Sequence, residues 1–171
     1  MRIGRHRLRD HILLMRPMFV LIAAVWMLRL ILAAANSPEW ITRVTSVTTT
    51  IAVAVLLAVL LIHFKRFGGY ASVIVSAFLF NLWAQALIII AILLSYFTGT
   101  ENVYTALEYS LPGAPNSHLE HVYAHLTFGI GIGTLVGTTF GCLMLFLLRR
   151  LGPGPAREST WVRKGEVGGG P

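Results

Sequence analysis

Three histidines at the start of the last long apolar stretch are the side chains best suited to chemistry. His118, His121 and His125 follow one another at i, i+3 and i+7. On an α-helix this spacing places three imidazoles within about 60° of one face. Neutral imidazole binds zinc and copper, and the positive end of a helix favours the neutral form. The face is therefore a candidate metal-binding or proton-handling site.

A structural interpretation of the same stretch stays open. Ser117 and Glu120 have the spacing of a capping box, which is typical of a helix start. Histidines and tyrosines also suit the surface of a membrane. One helix rarely supplies a whole catalytic metal site, and the order of residues matches neither HExxH nor HxxEH. The sequence leaves three cofactor states open: none, zinc or copper.

Four further polar side chains lie in or beside apolar stretches, where a charge or an unpaired amide is costly. They are Arg29, Asn81, Gln85 and Glu120. Asn81 and Gln85 are one helical turn apart near mid-membrane, so we expect them to face inward, as interhelical hydrogen-bonding groups or as ligand-binding groups. Arg29 either extends its side chain to the headgroups or pairs with Glu120 or with the two amides.

Several other chemistries are excluded or disfavoured. Cys142 is the only cysteine, which excludes an intrachain disulfide, a CxxC redox pair and a cysteine-built zinc site. The sequence has no phosphate loop, no GxGxxG after a strand and no recognisable hydrolase motif. Haem is disfavoured because we expect His63 near the inner end of its helix and His121 and His125 near the outer end of theirs.

The elements that carry these side chains are apolar enough to cross a bilayer. The chain of 171 residues is 56% hydrophobic and 12% charged, which is about half the charge of an average soluble domain. A helix needs about 20 mostly apolar residues to cross the hydrocarbon. Four stretches meet this condition, at about 17–35, 44–64, 70–97 and 119–148. The sequence therefore predicts an all-α integral membrane four-helix bundle.

The basic residues predict how this bundle is oriented. Of the 14 lysines and arginines, all but Arg29 and Arg43 lie in the N-terminal arm, the second connection or the C-terminal tail. Positive charge collects on the cytoplasmic side, so we expect an N-in/C-in protein of the plasma (inner) membrane with both termini cytoplasmic. A cleaved signal peptide over the first stretch is the alternative, which Arg29 and the length of that stretch disfavour.

Small residues predict which helices approach closely. The fourth stretch has a glycine at every fourth position, and the second has small residues at the same spacing. These are Gly129, Gly133, Gly137 and Gly141, and Ser46, Thr50, Ala54 and Ala58. The pattern is that of a glycine zipper, and it favours tight crossing of the second and fourth helices. A homodimer through the glycine stripe, or a pore lined by it, are the alternatives.

The margins of the chain are more polar. Residues 1–16 place Leu8, Ile12 and Met15 on one face among arginines, which predicts a basic amphipathic helix on the cytoplasmic leaflet that turns at Pro17; a disordered arm is the alternative. We expect the loop over 98–117 to fold back at the interface, and the basic tail over 149–171 to be disordered.

Three function classes follow from this organisation. The first is a non-enzymatic subunit, scaffold or assembly factor of a membrane complex. The second is an outer-facing metal or proton site on the histidine face, and the third is a small-solute transporter that acts as a dimer. Expected partners are anionic inner-leaflet headgroups, and other membrane subunits or a second copy. Nucleic acid is not expected, because the chain has no basic face interleaved with aromatic residues.

Overall fold

The computed structural model of the chain describes residues 2–3, 6–105 and 118–151. Within these ranges, seven side chains lie outside the described part: Arg2, Ile3, Glu39, Thr42, Arg43, His118 and Leu119. The capping box at Ser117, the loop over 106–117 and the tail over 152–171, which the sequence analysis interpreted, also lie outside it.

Four long helices make up nearly all of the described chain. They are α1 (Leu8–Ala34), α3 (Val47–Phe64), α4 (Tyr70–Thr98) and a fourth that joins α5 (His118–Ala124), a π-helical segment (His125–Gly129) and α6 (Ile130–Leu151). A short helix, α2 (Glu39–Val44), links α1 to α3, and Arg2–Ile3 pairs with His6–Arg7 as antiparallel strands β1 and β2. All four long helices are long and apolar enough to cross a membrane, which confirms the prediction of four such helices.

The helices end where the backbone enters the left-handed region. Asn36 (φ 51°) follows α1 and Arg66 (φ 51°) follows α3, and the next residue in each case donates its N–H back into the helix. Gly99 (φ 66°) ends α4 in the same region. Left-handed residues of this kind satisfy the last carbonyls of a helix. The α1–α2 and α3–α4 connections are short because the turns are built into the helix ends.

α1 differs from the expectation, because the chain does not turn at Pro17. The helix is continuous from Leu8 to Ala34 with Pro17 inside it, so most of the predicted surface arm is the first part of α1. A proline inside a helix removes one backbone hydrogen bond. The compensating feature is packing, since one face of α1 is buried on both sides of the proline. Its buried residues are His11, Met15, Met18, Ile22 and Trp26.

The bundle is centred on α3 and α4. These two helices contact each other, and both contact α1 and α6. Phe80 and Ala77 of α4 and Ala54 of α3 are fully enclosed. Phe19 of α1 packs edge-on against Phe80, with ring centroids 5.3 Å apart, and its carbonyl oxygen accepts a 3.1 Å hydrogen bond from the Trp83 indole.

The ends of the bundle are named after the residues buried there. The His11 end is where α1 and α4 begin and α6 ends, since His11 contacts Ser72 and Arg149 contacts Gly68. The Tyr104 end is the opposite one, where the chain after α4 folds back over the bundle.

Candidate functional site

The glycine stripe of the fourth helix faces α4 more than α3. A Cβ built at Gly129 would lie 2.7 Å from the Gln85 side chain, and a Cβ at Gly133 would overlap Asn81 Oδ1. At Gly141 the nearest group is Val73 of α4, at 2.6 Å. No side chain larger than hydrogen fits at these positions without moving a neighbour. The glycines therefore make room for the amide side chains of α4.

The small-residue stripe of α3 lies beside this contact. Ala54 and Ala58 are buried, and the Thr50 hydroxyl donates to the Ser46 carbonyl oxygen of its own helix at 2.9 Å. The α3 side chains nearest the glycines are Val55 and Val59, each one position after the alanines. Direct pairing of the two small-residue stripes stays a prediction.

Gln85 and His125 form the central polar contact between α4 and the fourth helix. His125 Nδ1 lies 2.7 Å from Gln85 Oε1. A carbonyl oxygen only accepts, so this contact requires Nδ1 to carry the proton. In the neutral imidazole the lone pair is then on Nε2. The hydrogen bond thus fixes both the tautomer of His125 and the orientation of its ring.

The contact also sets the depth of His125. Gln85 is near the middle of α4, about 20 Å from the Thr98 end at a rise of about 1.5 Å per residue. The sequence analysis placed the two amides at mid-membrane and the histidines at the outer mouth. The structure instead brings His125 and Gln85 together at one depth.

His121 stacks on His125 one helical turn nearer the Tyr104 end. The ring centroids are 4.9 Å apart and the ring planes differ by 14°. The side chain of His118 lies outside the described part, so the structure places two of the three histidines, His121 and His125. Among the described residues, no group of three His, Cys, Asp or Glu side chains is arranged to hold a metal ion. Glu120 is exposed on α5.

The helix changes its geometry at the histidine pair. Residues His125–Gly129 form a π-helical turn between α5 and α6. A π turn holds one more residue than an α turn, so it changes which side chains share a face, and such turns are frequent at functional sites. Both ends of the π-helical turn lie against Gln85. The His125 ring contacts Gln85 Oε1, and a Cβ built at Gly129 would lie 2.7 Å from the Gln85 side chain. The spacing of hydrophobic residues along the sequence does not predict this π-helical turn.

Asn81 sits one turn from Gln85 and is almost completely buried. Its Nδ2 donates to the Ala77 carbonyl oxygen of the same helix at 2.8 Å, while its Oδ1 faces the backbone at Gly133. The hydroxyl oxygens of Thr134 and Thr138, next to the glycines, are buried without a hydrogen-bond partner among the described residues. The polar groups on this face of α6 are therefore only partly satisfied by the protein itself.

Arg29 contacts the loop that follows α4. Its guanidinium lies over the Tyr104 ring, 5.4 Å from the centroid, a distance typical of a cation–π contact. Asn102 fixes this loop, because Nδ2 donates to the Ala91 carbonyl oxygen at 2.7 Å and Oδ1 accepts from the Tyr104 N–H at 2.9 Å. Burial raises the pKa of Tyr104 to about 12, against an opposing effect of the Arg29 charge. The loop folds back onto the bundle as expected, over the described residues 99–105.

A second polar cluster closes the His11 end. His11 is fully buried, with Nδ1 3.1 Å from the Arg7 carbonyl oxygen and Nε2 3.1 Å from Ser72 Oγ. His6 stacks on Phe67 with ring centroids 3.9 Å apart. Because the carbonyl only accepts, His11 donates from Nδ1, and in the neutral ring Nε2 then accepts the Ser72 hydroxyl. This hydrogen bond joins α1 to the first turn of α4.

The partners of Arg29 and His11 were not predicted from the sequence. Ser72 gave no signal because one serine beside an apolar stretch is common, and Tyr104, in the loop expected to fold back, was not predicted to contact Arg29. Asn102 followed by Thr105 has the spacing of a side-chain-capped turn, which is the one pattern that could have been recognised. Cys142 is a free, half-buried thiol. No family model, curated protein or solved structure matches this sequence.

Proposed function

We propose that this chain is a small integral membrane protein that acts as a non-enzymatic subunit, scaffold or assembly factor of a membrane complex. The observation that carries the proposal is how its interior polar groups are engaged. Gln85 binds His125 across the α4–α6 contact, His11 binds Ser72 across the α1–α4 contact, and Asn81 bonds within α4. The first two contacts join helices and the third lies within α4, and together they leave the bundle's apolar surface to lipid or to other helices.

The enclosure of the mid-helix amides favours this function over transport. A transporter needs water-accessible polar groups near the centre of the membrane. Asn81 is 2% exposed and Gln85 is 9% exposed, so neither faces an open path in this conformation. A dimeric transporter would have to move α6 away from α4 to expose them.

We further infer that both ends of the chain face the cytoplasm of a plasma (inner) membrane. The supporting observation is that the N-terminal arm, the Lys65–Arg66 connection and the end of α6 all lie at the His11 end of the bundle. Arg149 donates to the Gly68 carbonyl oxygen at 3.3 Å and lies over the Tyr70 ring. Clustered cations of this kind suit anionic inner-leaflet headgroups and positive-inside orientation.

Single-cysteine labelling tests this orientation. In a Cys142→Ser background, Lys65→Cys and Thr100→Cys place one thiol at each end of the bundle. In intact cells an impermeant maleimide should label the thiol at position 100 and not the one at position 65. The reverse pattern would overturn the N-in/C-in orientation, and labelling of both after cell lysis is the control for reactivity.

Isolation from native membranes tests the function itself. The tagged chain is extracted with its lipids in copolymer nanodiscs, and the protein composition is quantified against an unrelated four-span protein prepared identically. We expect one or more partner proteins at near-equimolar amount, and a fall in the partner's abundance when this chain is depleted. Recovery of the chain alone, or only with copies of itself, would contradict the proposal.

A further inference from the structure

The histidine pair beside Gln85 has a chemistry that helix packing does not require. His125 Nδ1 donates to Gln85 Oε1, which leaves the lone pair of the neutral ring on Nε2. His121 stacks on His125. The pair stands at i and i+4 of one helix with nearly parallel rings. Two histidines at this spacing on one helix face are a known way to hold a metal ion.

We propose that His121 and His125 chelate one divalent transition-metal ion, zinc or copper, and that Gln85 is the positioning residue for this site. The proposal uses the same Gln85–His125 contact as the subunit role, but it concerns metal binding and has its own measurement. It develops the histidine face seen in the sequence by naming the two side chains that the structure brings together and the group that orients them.

The hydrogen bond to Gln85 prepares His125 for ligation. Metal-binding histidines almost always donate their second ring N–H to an oxygen acceptor, which fixes the tautomer and strengthens the ligand. Gln85 Oε1 is such an acceptor for Nδ1, so the lone pair of neutral His125 is on Nε2. The structure therefore supplies both the histidine that would bind the metal and the oxygen acceptor that orients it.

The pair can share one ion once its rings leave their stacked arrangement, because a ring nitrogen binds a metal in the plane of its own ring. A metal at about 2.0–2.1 Å from each nitrogen requires the two nitrogens to be about 3.3 Å apart in a tetrahedral site. In this structure the rings are stacked, with centroids 4.9 Å apart and planes 14° from parallel, so their in-plane lone pairs do not converge. The ring that must turn is that of half-buried His121, because the hydrogen bond to Gln85 holds His125.

Two ligands leave the other coordination positions to water or to another molecule. We therefore expect exchangeable binding, weaker than a closed four-ligand structural site. His121 lies one turn nearer the Tyr104 end than His125, so an ion would enter from that end. Imidazole ligands suit zinc and copper, and at the same site copper binds more tightly.

Copper titration of the full-length chain in lipid nanodiscs is the test, with Cu²⁺ alone as the probe and electron paramagnetic resonance as the readout. We expect one equivalent of Cu²⁺ with splitting from at least two nitrogens, and competition by Zn²⁺. His121→Ala and His125→Ala should each weaken binding by about 10-fold or more. Gln85→Leu should weaken it by about 10–100-fold, and Gln85→Glu, which keeps an oxygen acceptor, should restore it.

His63→Ala is the matched control, since it removes a half-buried helical histidine away from the pair and should leave the titration unchanged. Helix content and particle size are measured for each variant. If Gln85→Leu fails to fold, the comparison of His121→Ala with His63→Ala still decides. Copper binding that is equally tight in the wild type and in both single-histidine variants would overturn the proposal.

Discussion

His125 Nδ1 lies 2.7 Å from Gln85 Oε1, and this hydrogen bond joins the fourth helix to the middle of α4. The contact explains two features of the sequence that look unrelated. Gly129 is small because the Gln85 side chain occupies the space beside it, and the amide oxygen of Gln85 is tolerated in an apolar helix because the His125 N–H donates to it. Packing and polar chemistry are coupled at this one position.

The tautomer of His125 follows directly from this hydrogen bond. We expect the imidazole to carry its proton on Nδ1, because Gln85 Oε1 can only accept. Nitrogen-15 NMR of histidine-labelled protein distinguishes the two neutral tautomers. In Gln85→Leu the preference for Nδ1 should be lost, whereas in Gln85→Glu it should remain. A proton on Nε2 in the wild type would show that the amide is turned the other way.

Glycine substitutions in the fourth helix should differ sharply in cost. A Cβ at Gly133 overlaps Asn81 Oδ1, whereas a Cβ at Gly131 has no atom within 4 Å. Gly133→Ala should therefore lower the free energy of unfolding by about 1–3 kcal/mol through overpacking. Gly131→Ala should change it by about 1 kcal/mol or less, in the stabilising direction that helix propensity favours.

Unfolding of both variants by SDS titration in mixed micelles measures this difference. Gly137→Ala is a useful intermediate, since its Cβ would meet Ala77 at an ordinary 3.5 Å. Equal losses at positions 131 and 133 would show that glycine is needed there for helix flexibility and not for contact with α4.

Two serines on α4 should respond in opposite ways to alanine. Ser72→Ala removes the partner of the buried His11 Nε2, so it should cost about 1–3 kcal/mol of unfolding free energy. Ser76 Oγ is buried without a hydrogen-bond partner among the described residues. Ser76→Ala should therefore be neutral or stabilising in the same SDS titration. A larger loss at Ser76 than at Ser72 would contradict the assigned hydrogen bond.

Tyr104 should ionise late in an alkaline titration. Burial raises its pKa from 10.0 to about 12, so the folded chain keeps a proton that the unfolded chain releases. Below pH 10 both states are protonated, and from pH 10 to about 12 the free energy of unfolding should fall as pH rises.

Tyrosinate absorbance during the titration measures this behaviour. Tyr104→Phe should remove the late component, and Arg29→Met should raise its pKa further, because the arginine charge opposes the effect of burial. If every tyrosine of the folded chain titrates near 10, Tyr104 is exposed to water and the folded-back loop is not as described.

The sequence predicts the helices well because the signal for them is local. Long uncharged stretches identify four helices without any knowledge of their neighbours, and the structure has four of the right kind. The start of α1 was missed because Pro17 is a strong local signal, which the packing of His11 and Met15 overrides. Orientation depends on the membrane and stays a prediction.

The site was harder to predict because its partners are far apart in the chain. His125 and Gln85 are 40 positions apart, and the π-helical turn that brings them together leaves no periodic pattern. Asn81 and Gln85, one turn apart on α4, are both buried in the bundle. The small-residue pattern predicted that α3 meets the glycines, whereas the groups nearest the glycines come mainly from α4. Such a pattern indicates close packing but does not identify the neighbouring helix.

The central claim is that this bundle works as part of a larger membrane complex. Native mass spectrometry of the particle released from copolymer nanodiscs tests it most directly, because the mass counts every protein present. We expect a mass above that of one chain that is not an integer multiple of it, and that falls to the single-chain value when the complex is dissociated. A particle with the mass of one chain, or of two identical chains, would contradict the proposed role.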